Sequence, residues 1–182
     1  MEDSFFNNKT VLFGFWKDKP LEWRIVQENE DDLLLCLAYG IHTMPYDANG
    51  HFVEWETSAP RRFLYDVFLP QAFTKTEAER IVRRSILMEK DVCEPVPQQY
   101  AIEERIFLLS EKEIRSSGND PAFWIRRLDA RAEGSSFGAW WLRSFGRLEN
   151  LSMGVVRPDG VIYPSGDIRA RNVMIVPAIY VK

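Results

Sequence analysis

The feature that most constrains this chain is the stretch Gly138-Ala139-Trp140-Trp141-Leu142-Arg143-Ser144-Phe145-Gly146. Two adjacent tryptophans beside an arginine, closed by glycines, need a large volume and a partner for each indole N–H that is buried. Such a pair anchors a core or lines an aromatic recognition surface. If the stretch is a strand, period-two alternation puts Trp141 and Arg143 on one face and Trp140 and Leu142 on the other. Two readings follow. Either one tryptophan is core and the other lies near the surface, or both are buried and Arg143 is tied to a backbone carbonyl or a carboxylate.

A chain of 182 residues fits a single domain spanning residues 1–182. Apolar residues at 46% and charged residues at 27% match ordinary globular proteins, so a folded core is expected and disorder is not. Aromatic residues reach 13%, with six Trp and twelve Phe, which predicts a core filled by large rings rather than by a regular helix seam. The net charge of −4 argues against nucleic acid as a partner, because phosphate binding draws on a basic excess. The tail from Ala139 to Lys182 is locally positive, with six basic residues against three acidic ones.

The opening Met1-Glu2-Asp3-Ser4-Phe5-Phe6 lacks the basic n-region and apolar run of a secretory signal. No stretch approaches the roughly 18 apolar residues that span a bilayer. A cytoplasmic protein with no membrane partner is expected. Cys36 and Cys93 are too few for a disulfide framework and are not spaced as CxxC, so each is read as a small buried thiol.

Along the chain, Val11–Trp16 and Leu21–Val26 read as strands, the second with Leu21, Trp23 and Ile25 on one face and Glu22 and Arg24 on the other. The acidic turn Glu28–Asp32 leads into Leu33–Ala38, completing an antiparallel hairpin. From Gly40 to Glu56 a long loop is expected. Ser58 then caps a helix with Pro60 in its first turn and Phe63, Leu64, Val67 and Phe68 at helical spacing, ended by Leu69-Pro70. Thr74 and Glu77 form a capping box, followed by Ala78, Ile81, Val82 and Ile86 as one helical face.

Cys93–Tyr100 reads as a loop and Ile106–Leu109 as a buried strand. Ser110 and Glu113 form a second capping box, and Asp120-Pro121 opens a helix carrying Phe123, Trp124 and Leu128. Strands over Ala139–Phe145, Leu151–Val156 and Val161–Tyr163 follow, the last two joined by the turn Arg157-Pro158-Asp159-Gly160. Val173–Val181 is a final strand interrupted at Pro177. Strands therefore open and close the chain, with helices between, an α+β order.

This pattern resembles a bacterial family known as domain of unknown function 6273. The resemblance rests on Phe13-Gly14, Trp23-Arg24-Ile25-Val26, Trp55 to Ser58, and Phe73-Thr74 with Glu77. It continues through Ile106-Phe107-Leu108-Leu109-Ser110-Glu111-Lys112-Glu113, Trp140-Trp141-Leu142-Arg143-Ser144, Asp159-Gly160 and Val176-Pro177-Ala178. It implies a C-type-lectin-like fold of the formylglycine-generating-enzyme type, with terminal strands side by side and long loops presenting a binding surface. The chain departs from the family pattern at Val176, where an arginine is usual, and at Phe145, where a proline is usual. It departs again at Phe63-Leu64-Tyr65, where the family carries Trp-Leu-Asn.

The chemistry visible in sequence is sparse. Gly134-Ser135-Ser136-Phe137-Gly138 fits the nucleophile-elbow formula, but no apolar strand precedes it, no helix follows it, and both histidines lie before the serine. His42, Asp47 and His51 share a loop without the spacing of a metal site. A lectin-type calcium site needs a cluster of carboxylates and amides near the late loops, and Glu149-Asn150 and Asp167 offer only a sparse set that leaves calcium unsupported. Oxidase chemistry of the formylglycine-generating type needs paired late cysteines, and none follows Cys93. No metal or cofactor is expected.

What remains is recognition by the loops Ser144–Asn150 and Pro164–Asn172. The expected binding residues are Trp141, Arg143, Arg147, Asn150, Tyr163, Arg169, Arg171 and Asn172. The leading reading is a non-catalytic module that binds a peptide, glycan or protein, with homo-oligomerisation left open. The alternatives are an assembly module, phage- or mobile-element-associated, and an enzyme whose site forms only in three dimensions.

Overall fold

The computed structural model describes residues 10–51, 54–90, 98–128, 138–147 and 152–182. The chain opens as a meander of β1 (Thr10–Trp16), β2 (Lys19–Glu28) and β3 (Leu33–Leu37), paired antiparallel. Leu21 and Trp23 point into the core as their alternation predicts. A bulge between Ile25 and Gln27 then breaks that alternation, so Val26 is buried where Ile25 is expected. A second irregularity in β1, between Leu12 and Phe15, contains Gly14 at φ 78°. A Cβ there would lie 2.6 Å from the Phe73 ring, so both the backbone and the packing require glycine.

The stretch expected to be a long loop holds a short strand, β4 (His42–Thr43), and a 3₁₀ turn over Trp55–Thr57. Tyr46 and Trp55 within it are fully buried. Ser58 caps α1 (Ala59–Phe63) by accepting a hydrogen bond from Arg61 N–H. The helical path runs on through a π turn (Leu64–Phe68) into α2 (Leu69–Ala72), so Leu69-Pro70 does not end it. In the π turn Leu69 N–H reaches Leu64 O, and this wider spacing relieves the clash a proline ring makes inside an α-helix.

The capping box at Thr74 and Glu77 forms, but it opens only the short helix α3 (Lys75–Arg80). Ile81 and Ile86 belong instead to β5 (Ile81–Val82) and β6 (Arg84–Lys90). Burial of Ile86 and Met88 against exposure of Ser85 and Leu87 is a period of two, which the β-branched residues favour. β7 (Gln98–Glu104), partly expected to be loop, pairs with β6 along its length. Next come β8 (Ile106–Phe107) and α4 (Glu111–Ser116), the latter opened by the capping box of Ser110 and Glu113.

Asp120 caps only a 3₁₀ turn over Pro121–Trp124, shorter than the expected helix. The closing strands are β9 (Trp140–Phe145), β10 (Ser152–Val156), β11 (Ile162–Asp167), β12 (Met174–Ile175) and β13 (Ala178–Val181). β11 takes up the first part of the loop expected from Pro164, which it tolerates as an edge strand.

Two sheets and a ribbon result. The first has the order β1-β2-β3-β13-β5, with β8 also on β13. β13 thus lies beside β3 on one edge, while β5 and β8 share its other edge. The second has the order β11-β10-β9-β12-β4, antiparallel except where β12 meets β9. The segment Val176-Pro177 carries the last strand from one sheet to the other, and Pro177 O accepts from Leu37 N–H. β6 and β7 form the separate ribbon. The fold is α+β, with antiparallel strands predominating and a single apolar core. No helix among the described residues is long and apolar enough to cross a membrane.

Candidate functional site

Trp140 and Trp141 are both completely buried. Trp140 Nε1–H donates to Trp124 O at 3.0 Å, and Trp141 Nε1–H donates to Met44 O at 2.8 Å. Each indole of the pair is therefore satisfied by a loop it pins to β9. Arg143 is 2% exposed. Its Nη1 donates to Leu108 O at 2.7 Å and to Glu113 Oε2 at 2.6 Å, and its Nη2 donates to Glu113 Oε1 at 2.7 Å. The guanidinium lies over the Phe107 ring at 5.2 Å. The buried Nε–H has no acceptor among the described residues.

Glu113 joins local and distant structure. It accepts Ser110 N–H at 2.8 Å as the capping-box carboxylate and Arg143 as a bidentate ion pair. Ser144 Oγ accepts Glu111 N–H at 2.8 Å, and Arg143 N–H donates to Leu109 O at 3.0 Å. The first turn of α4 is thus fastened to β9 by both side chain and backbone. Two of the stretches that carry the family resemblance, Ile106–Glu113 and Trp140–Ser144, meet at this junction.

A cavity of about 220 Å³ opens beside it, lined by Leu87, Met88, Glu89, Lys112, Arg143 and Phe145 among others. It adjoins a shallower depression of about 570 Å³ that shares Glu89, Lys112, Ser144 and Phe145 and extends to Arg115 and Arg147. Leu87, Met88 and Phe145 make an apolar wall. Arg143 is neutralised by Glu113 and Arg115 by Glu111 at 2.7 Å, while Lys112 has no carboxylate partner among the described residues. The three serines on the rim are engaged: Ser110 and Ser144 accept backbone N–H groups, and Ser116 donates to Glu113 O.

Of the other expected binding residues, Arg147 borders the depression, and the rest that are described lie elsewhere. Arg147 is exposed, and its N–H donates to Pro164 O, so the chain after β9 touches β11. Tyr163 is 45% exposed on β11. Arg169 is exposed, pairs with Asp167 at 3.1 Å and lies over Gly50. Arg171 and Asn172 are exposed, and neither they, Tyr163 nor Arg169 lines the groove. Asn150, Cys93 and residues 134–137 of the elbow-like motif lie outside the described residues. Cys36 is buried, and burial pushes its thiol pKa up.

Two further polar clusters escaped the sequence reading. Glu104, buried in β7, accepts Trp55 Nε1–H at 3.0 Å, Arg61 Nε–H at 2.6 Å and the Tyr65 hydroxyl, while Tyr65 itself accepts Arg105 N–H. Arg126 is buried without a carboxylate among the described residues, donating to Leu37 O at 2.9 Å and to Phe123 O at 2.6 Å. Burial lowers its pKa to about 10. Both clusters bind loops to the core through saturated hydrogen bonds. No group of three or more His, Cys, Asp or Glu side chains gathers as a metal site among the described residues.

Fold and site together define a mixed α/β protein whose two sheets and ribbon surround one aromatic core, with a preformed groove where the ribbon meets α4 and β9. The sequence profile of the family described as domain of unknown function DUF6273 matches residues 30–182, and the chain belongs to that family. No curated protein and no solved structure matches it.

Proposed function

We propose that this protein is a non-catalytic binding module that takes its ligand in the groove between β6, α4 and the end of β9. The observation that carries the reading is the preformed cavity of about 220 Å³ with its adjoining depression, apolar on one wall and held open by the Arg143–Glu113 pair. Apolar lining with a few fixed polar groups is the usual composition of a ligand site. Binding is favoured over catalysis because the rim hydroxyls are already engaged and no histidine stands beside them. The pairing of β13 with β3 brings late and early strands together, which supports a C-type-lectin-like arrangement as the finer description of the fold.

The test is a thermal-shift screen against calcium, zinc, copper, nucleotides, a glycan panel and short peptides, run on the native protein and on Ser116→Trp. A ligand that binds only the native state must raise the melting temperature. A shift seen in the native protein and lost in Ser116→Trp is the expected outcome. Ligands that shift both proteins equally would place the site outside the groove and end this reading.

A further inference from the structure

Three consecutive residues of β6, Leu87, Met88 and Glu89, line the cavity. Side chains alternate across a strand, so all three can line one space only if that space runs along the edge of the strand. β6 pairs with β7 on its other side, and no other backbone group bonds to it among the described residues. The outer edge of β6 therefore offers main-chain donors and acceptors directly into the groove. An open edge of this kind is a template for a further strand.

Resting on the groove reading above, we propose that the ligand is an extended segment of a partner protein that adds to the outer edge of β6 as an extra strand. In this mode main-chain hydrogen bonds hold the segment and alternate side chains give selectivity. An apolar side chain enters the cavity against Leu87, Met88 and Phe145. Two residues along on the same face, an acidic side chain meets Lys112, which has no carboxylate partner among the described residues, whereas Arg143 and Arg115 are paired with Glu113 and Glu111.

The experiment selects peptides from a phage-displayed library of random 12-residue sequences on the native protein, then synthesises those recovered. Binding is read together with hydrogen exchange of the β6 amides. The expected result is a set of peptides with an apolar-x-acidic pattern that slow exchange of the outward β6 amides at least tenfold. N-methylation of alternate peptide amides should weaken binding at least tenfold, and Lys112→Glu should reverse the charge preference. Peptides that bind the native protein but not Ser116→Trp, and leave β6 exchange unchanged, would overturn strand addition while keeping the groove. Peptides that bind Ser116→Trp equally well would overturn both, and recovery of no binding peptide would overturn strand addition.

Discussion

At the level of single residues, the weight of this fold rests on side chains that look suited to a surface. Trp141 and Arg143 sit in a stretch with the composition of a recognition site, yet the tryptophan pins a loop through Met44 and the arginine fastens α4. Alternation places Trp140 and Trp141 on opposite faces of β9, and both are buried, Trp140 against the Trp124 ring and Trp141 against Tyr46. Trp140→Ala and Trp141→Ala should each cost about 3–5 kcal/mol in urea unfolding, the range for emptying a buried aromatic site. Arg147→Ala, at an exposed position, should change stability by no more than about 0.5 kcal/mol. Equal losses for all three would contradict this division. Glu113→Ala strands the buried Arg143 charge and should cost about 3–5 kcal/mol, measured in the same way.

At the level of elements, the legible features were those with local causes. Both capping boxes form as spaced, since Ser or Thr with Glu three residues on satisfies the first N–H groups wherever the helix then leads. The end of α3 was not legible, because Ile81, Val82 and Ile86 suit a helical face and a strand alike, and pairing with β13 and β7 decides between them. The β2 bulge shows only in the pairing with β3, and the π turn lets the helical path run through Pro70, where the sequence alone predicts an end. The groove joins residues 87–89, 112–116 and 143–147, and no local pattern announces that junction.

Glu77 gives this level its pH test. The Thr74 N–H bond is the main cause holding its carboxyl pKa below the usual glutamate value, aided by Thr74 Oγ1 and Gly14 N–H. A depressed carboxylate contributes stability above its unfolded pKa, near 4.3, and loses it as pH falls through the folded value. The protection of the Thr74 and Gly14 amides relative to their intrinsic exchange rates should therefore fall below about pH 4, and Glu77→Gln should remove that dependence.

At the level of the whole molecule, an aromatic core makes the protein sensitive to alkali. Burial raises the pKa of Tyr46, Tyr65, Tyr100 and Tyr180 and of the Cys36 thiol. The unfolded chain releases these protons at ordinary values while the native state retains them, so stability falls as pH rises above about 9. Arg126 acts in the opposite sense, because its folded pKa of about 10 lies below the unfolded value. One such group against five leaves a net loss, and the melting temperature should drop steadily from pH 9 to pH 11. A flat profile across that range would contradict the buried placement of these groups.

The groove is the central claim, and a crystallographic fragment screen tests it most directly. Soaked crystals should show fragments gathering between Leu87, Lys112 and Phe145, with apolar rings inside the cavity and carboxylates toward Lys112. Fragments that collect instead beside Trp124 under the Gly160 turn, or over Tyr163 and Arg171, with the groove holding only solvent, would contradict the account.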